Sequence, residues 1–263
     1  MKDEPKFSVL VYNFNNYEVL HEIPEGCKNP DAEYIYVTDN PNLKSETWDI
    51  VVETGLTGGV FDKTFQVRYN LFKYCHSDIC VRFDGSMQLK GDITPVVDYF
   101  MLNDCDICVS THAWRNTILD EYIAWVRTRN FPSDEANKAL QFMIDAGYNV
   151  QNHSGLYQLN FLIERNCKNV KFINDTVYNT VKYLGDENDV HRVDQTVYSY
   201  VLNTYGEAVK AKVMNLPAQL VCTEYFDVFM HGTDNKYSFN FTNSIEPYVI
   251  NKKVQPWQIQ HLQ

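Results

Sequence analysis

Short apolar runs alternate with longer amphipathic stretches through the first 111 residues. Phe7 to Tyr12 is a compact apolar run that ends in the Asn-rich turn Asn13-Phe14-Asn15-Asn16. Tyr34 to Thr38 repeats the pattern and closes on Asp39-Asn40-Pro41-Asn42, and Trp48 to Glu53 is a third, shorter run. Phe61 to Tyr74 carries apolar residues at Phe61, Phe65, Leu71 and Phe72, which predicts a helix with Arg68 and Lys73 on it. Ile79 to Phe83 is a fourth strand, and it ends in the acidic turn Asp84-Gly85-Ser86.

Asp92 and Pro95 mark the start of a helix over 93–102. Asp106 to Thr111 predicts a fifth strand ending at His112. Asn116 or Thr117 opens a helix reaching about Arg129, and Ser133 opens another that Gly147 stops. Leu156 to Ile163 reads as a strand, and 170–184 and 193–203 read as helices. Beyond about Ala208 the pattern breaks into short apolar strands and a polar tail from Gln255 to Gln263.

This alternation predicts an α/β fold with a mainly parallel, Rossmann-type sheet flanked by helices and an irregular C-terminal third. We expect a single domain over 1–263, with no repeat and no low-complexity linker. Within it, 1–111 forms a nucleotide-binding half, 112–207 an acceptor and catalytic half, and 208–263 the C-terminal strands and tail.

A net charge of −11 removes the basic footprint that nucleic acid requires, and it disfavours anionic membranes. The seven Cys have no disulfide-framework spacing. Cys105 and Cys108 form a C-x-x-C within a strand-like run, without a second pair at zinc-ligand spacing, so core thiols are expected. No signal-peptide pattern and no apolar run of ~18 residues is present, and a cytoplasmic location is the expectation.

Candidate chemistry collects at strand ends. Ligands in open α/β sheets bind beyond the C-terminal ends of the strands. Thr38-Asp39, Asp84-Gly85-Ser86 and His112-x-x-Arg115 all stand there. Arg115 offers a fork for phosphate or carboxylate, His112 titrates near neutrality, and Glu121 lies early in the following helix. Asp194 and Gln195 open the helix at 193–203, where they can meet sugar hydroxyls or simply cap the helix. His231 is a late candidate metal ligand, and Gly155 permits close backbone approach.

The order Tyr34-Ile35-Tyr36-Val37-Thr38-Asp39, Trp48, Arg68 with Lys73, Val81-Arg82-Phe83-Asp84, His112-x-x-Arg115 with Glu121, Gly155-Leu156 and Asp194-Gln195 resembles one group of glycosyltransferases. That group was long known only as a domain of unknown function. It includes plant enzymes of pectin and mucilage synthesis and bacterial polysaccharide transferases. The resemblance implies a GT-A-like fold and hexosyltransferase-like chemistry on a nucleotide sugar, a UDP-sugar first, with a glycan or other hydroxyl acceptor. Two departures stand out: Val193 separates Arg192 from Asp194-Gln195, and Ser86 replaces the second aspartate of D-x-D.

In this reading Tyr12, Thr38 and Asp39 hold base and ribose, and Arg68 and Lys73 face the diphosphate. Asp84, beside Ser86, holds ribose or a metal, with His231 as the second metal ligand and Mn2+ or Mg2+ as the ion. His112, Glu121 and Asp194 are equal candidates for a base, while Arg115 joins Arg68 and Lys73 as a cation for the diphosphate and Gln195 contacts sugar hydroxyls. A catalytically silent sugar- or nucleotide-binding protein and a hydrolase on the same residues are the alternatives.

Overall fold

A computed structural model describes residues 4–128, 133–152, 155–185 and 193–236. Arg192, the pair His153-Ser154 and the polar tail lie outside the described residues. The strands are β1 (Phe7–Asn13), β2 (Ala32–Thr38), β3 (Asp49–Val52), β4 (Ile79–Phe83), β5 (Met87–Leu89), β6 (Ile107–Thr111), β7 (Tyr157–Arg165), β8 (Val213–Pro217) and β9 (Phe226–Val228). The main helices are α1 (Val60–Arg68), α2 (Thr94–Leu102), α3 (Ile118–Thr128), α4 (Ser133–Asp145), α5 (Lys168–Leu184) and α6 (Asp194–Tyr205).

Seven strands form one sheet in the order β3-β2-β1-β4-β7-β6-β8, and β5 with β9 forms a small second sheet. The large sheet is parallel except for β7, which runs antiparallel to both β4 and β6. Every residue of β1 is buried, as expected for a central strand covered on both faces. One face packs Leu10, Ile35 and Val37 against Val67 and Leu71, and Leu162 and Val109 against Ile173, Val177 and Val201. The other packs Val9, Tyr36, Val81, Phe83 and Phe161 against Trp48, Val97, Phe100 and Phe226.

The chain leaves β1 to β2 on one side and reaches β4 on the other. The C-terminal ends of β1 and β4 therefore flank the point where strand order reverses, the place where doubly wound sheets bind ligands. The helix expected over 61–74 divides. α1 stops at Arg68 and a single 3-10 turn follows at Leu71–Lys73, because Asn70 takes a non-helical backbone (φ −134°, ψ 38°). That break lets Arg68 turn inward at the helix end. Among the described residues no helix is long and apolar enough to cross a membrane.

Candidate functional site

Asp84 follows β4 directly, in a four-residue turn closed by the Met87 amide donating to the Asp84 carbonyl at 2.9 Å. A Cβ at Gly85 would lie 3.2 Å from Glu18 Cγ and 3.3 Å from its Cβ, a tight fit against that side chain. Ser86 is buried, and its carbonyl accepts from the Phe229 amide at 2.8 Å, which docks the second sheet beneath the turn.

Arg68 links three elements. Its Nε donates to the Tyr12 hydroxyl at 2.8 Å, one Nη donates to Asp84 Oδ1 at 3.2 Å, and the other donates to Asp194. Asp194 is the first residue of α6, where the helix dipole favours a carboxylate, and its Oδ1 accepts from the Gln195 amide at 2.9 Å. One guanidinium thus faces two carboxylates at the reversal point. Burial raises Asp84 above the ordinary carboxylate range, against the lowering effect of Arg68 and Arg82. Its side chain is recessed among protein atoms yet keeps 33% of its surface accessible, so it still reaches solvent. Burial alone would lower Arg68, but Tyr12, Asp194 and Asp84 together raise it, so the cation is secure.

Thr38 and Asp39 sit at the neighbouring end of β2. Asp39 accepts from the Asn15 amide at 2.9 Å and from Lys63 Nζ at 2.6 Å, and Lys63 also reaches Asn15 Oδ1 at 3.1 Å. Lys63 and the Asn15 hydrogen bond hold Asp39 below its usual range despite burial, the largest single influence. Thr38 is buried, and its Oγ1 accepts from the Asn40 amide at 3.2 Å. Lys73 does not join Arg68. It pairs with Glu53 at 2.5 Å beyond the end of β3, largely exposed.

His112, Arg115 and Glu121 form a second cluster at the end of β6. His112 Nδ1 accepts from the Trp114 and Arg115 amides, both at 3.1 Å, and Arg115 Nε donates to the buried Glu121. Thr117 caps α3, accepting from the Asp120 amide at 2.9 Å while Asp120 accepts from the Thr117 amide at 3.1 Å. β7 separates this cluster from Asp84 by two strand spacings, roughly 10 Å. Gln195 amide and carbonyl groups serve α6, the carbonyl accepting from Ser199 Oγ at 2.7 Å.

His231 lies on the turn after β9. Its Nδ1 meets Glu18 Oε1 at 2.5 Å, and it stands near enough to Asp84 to favour the ionised carboxylate. Among the described residues no group of three or more His, Cys, Asp or Glu gathers to hold a metal ion. Asp84 faces Arg68, and His231 faces Glu18. The buried thiols of Cys105 and Cys108 are raised by burial, and every cysteine is unbridged.

The sequence does not single out Lys63, Glu18 or Glu164. Lys63 and Glu18 lie in mixed polar and apolar stretches with no motif, while Glu164 stands at the end of an apolar run, beside Arg165. An acidic residue directly after the apolar run Phe161-Leu162-Ile163 is the one signal the sequence offers for Glu164.

No family model matches the sequence, and no curated protein does. Among solved structures of similar shape is mouse xyloside xylosyltransferase 1 in its apo form. The match has a TM-score of 0.45 at 7% identity and covers 80% of this chain and 84% of that one.

Proposed function

We propose that the protein is a glycosyltransferase that moves a sugar from a nucleotide-sugar donor, a UDP-sugar first, to a glycan or other hydroxyl acceptor. The observation that carries this reading is Arg68, secured as a cation between Asp84, Asp194 and Tyr12 at the reversal point of the sheet. Transfer leaves a nucleoside diphosphate with a growing negative charge, and a preorganised guanidinium is suited to stabilise it. Arg68 receives the diphosphate, Asp84 binds ribose or sugar hydroxyls, and Asp194 sets the guanidinium plane. Asn15, Asp39 and Lys63 border the base and ribose end. The His112–Arg115–Glu121 cluster lies on the acceptor side, where 112–207 contributes α3 and α6. In this reading Arg68 is the fixed cation that meets the diphosphate.

A second reading, a silent nucleotide-sugar binder, is favoured by one feature. Both carboxylates considered as a base face an arginine: Asp194 faces Arg68, and Glu121 faces Arg115. A thermal-shift panel of nucleotide sugars, with and without manganese, followed by product analysis with acceptor sugars, separates the two. The transferase reading expects a stabilising donor, sugar transfer to an acceptor, and loss of turnover in a folded Asp84→Ala variant. Binding without any product supports the silent binder, and a fully active Asp84→Ala variant contradicts the assignment of Asp84.

A further inference from the structure

Beneath the proposed donor site lies a charged pair that the reaction does not touch. Arg82 on β4 and Glu164 on β7 are both fully buried, with Nε and Oε2 3.5 Å apart. Glu164 Oε1 accepts from Asn174 Nδ2 of α5 at 3.0 Å. The arrangement is a poor stability device. Arg82 Nε and Nη2, Glu164 Oε2, Asn174 Oδ1 and the Tyr198 hydroxyl have no hydrogen-bond partner among the described residues. Desolvating two charges is repaid only when their remaining polar atoms are well satisfied, and an apolar pair of similar size often serves stability as well or better.

The pair does hold one piece of backbone. β6 and β7 pair regularly to Val109↔Leu162 and then jump to Ser110↔Gln158, so Leu159, Asn160 and Phe161 have no partner on β6. Such bulges re-aim chain segments beside sites. Arg82 Nη1 donates to the Leu159 carbonyl of that bulge at 3.1 Å. The next carbonyl, Asn160 O, accepts the Asp84 amide at 3.0 Å. The same Nη1 also lies 3.5 Å from the Tyr12 hydroxyl that accepts from Arg68. Arg82 therefore stands behind both ends of the Asp84–Arg68 pair.

We propose that Arg82, held by Glu164, is a positioning residue: by tying the Leu159 carbonyl in the β7 bulge it fixes the Asn160 carbonyl that sets Asp84, and it backs the Tyr12 hydroxyl that sets Arg68. The role as part of a donor site rests on the transferase reading above; the hold on Asp84 does not. The test is a neutral double variant, Arg82→Met with Glu164→Gln, which leaves net charge unchanged and keeps a partner for Asn174. Three quantities are read on the full chain: the melting temperature, hydrogen exchange at the Asp84 and Val81 amides, and calorimetric affinity for UDP. We expect an unchanged melting temperature, at least tenfold faster exchange at Asp84 relative to Val81, and at least tenfold weaker UDP binding. Unchanged exchange at Asp84 overturns the proposal. If wild-type protein does not bind UDP while the Asp84 amide responds, the positioning role stands and the UDP-sugar reading fails. If the double variant does not fold, Arg82→Lys keeps the cation but loses the fork. It should show the same selective loss of Asp84 protection, and a Lys variant with native protection overturns the proposal.

Discussion

Asp84 is a carboxylate pulled in two directions. Burial raises it, the neighbouring guanidinium groups of Arg68 and Arg82 lower it, and burial wins. The folded protein therefore holds the Asp84 proton more tightly than the unfolded chain, whose aspartates titrate near pH ~4. The contribution of Asp84 to stability is present while it is protonated and is lost as pH rises through the raised folded value. Asp84→Asn removes that titration and leaves Arg68 its partner Asp194. In urea unfolding, the stability of Asp84→Asn relative to wild type should rise between pH 4 and pH 7. A difference that is flat or falls across that window contradicts the burial-dominated environment.

At the scale of elements, the small β5–β9 sheet locks the turn that carries Asp84. Lys90 donates its amide to the Tyr225 carbonyl at 3.0 Å, and a Cβ at Gly91 would stand 2.8 Å from the Glu224 carbonyl oxygen. Backbone cannot swing aside as a side chain can. Gly91→Ala should lower stability by about 1–3 kcal/mol, measured by denaturant titration, with faster exchange at the Leu89 and Phe226 amides. A variant as stable as wild type removes the steric argument. Most elements were legible in the pattern of the chain. The expected strand at Ile79–Phe83 is β4. The helix expected from 193 is α6, and Thr117 caps α3. The split after Arg68 was not legible, because Leu71 and Phe72 continue an apolar spacing while Asn70 breaks the backbone locally. Nor was the antiparallel sense of β7, since an apolar run carries no direction. The pairing of β5 with β9 joins residues 137–141 apart in sequence, and only tertiary packing brings them together.

At the scale of the molecule, the sheet order converts scattered motifs into two groups. Tyr12, Arg68, Asp84 and Asp194 converge at the reversal point, with Asp39 and Lys63 at the next strand end. His112, Arg115 and Glu121 stand beyond β7. Strand-end carboxylates were readable one by one from sequence, but the shared guanidinium was not, because Arg68 and Asp194 are 126 residues apart. In the proposed function Arg68 receives the diphosphate of a nucleotide-sugar donor. Calorimetric titration of UDP into wild type and into Arg68→Met tests it most directly. Hydrogen bonds to a charged group contribute about 1.5–3 kcal/mol, so UDP should bind wild type saturably and bind a folded Arg68→Met variant roughly ten- to a hundredfold more weakly. UDP binding of equal strength to both proteins would contradict it.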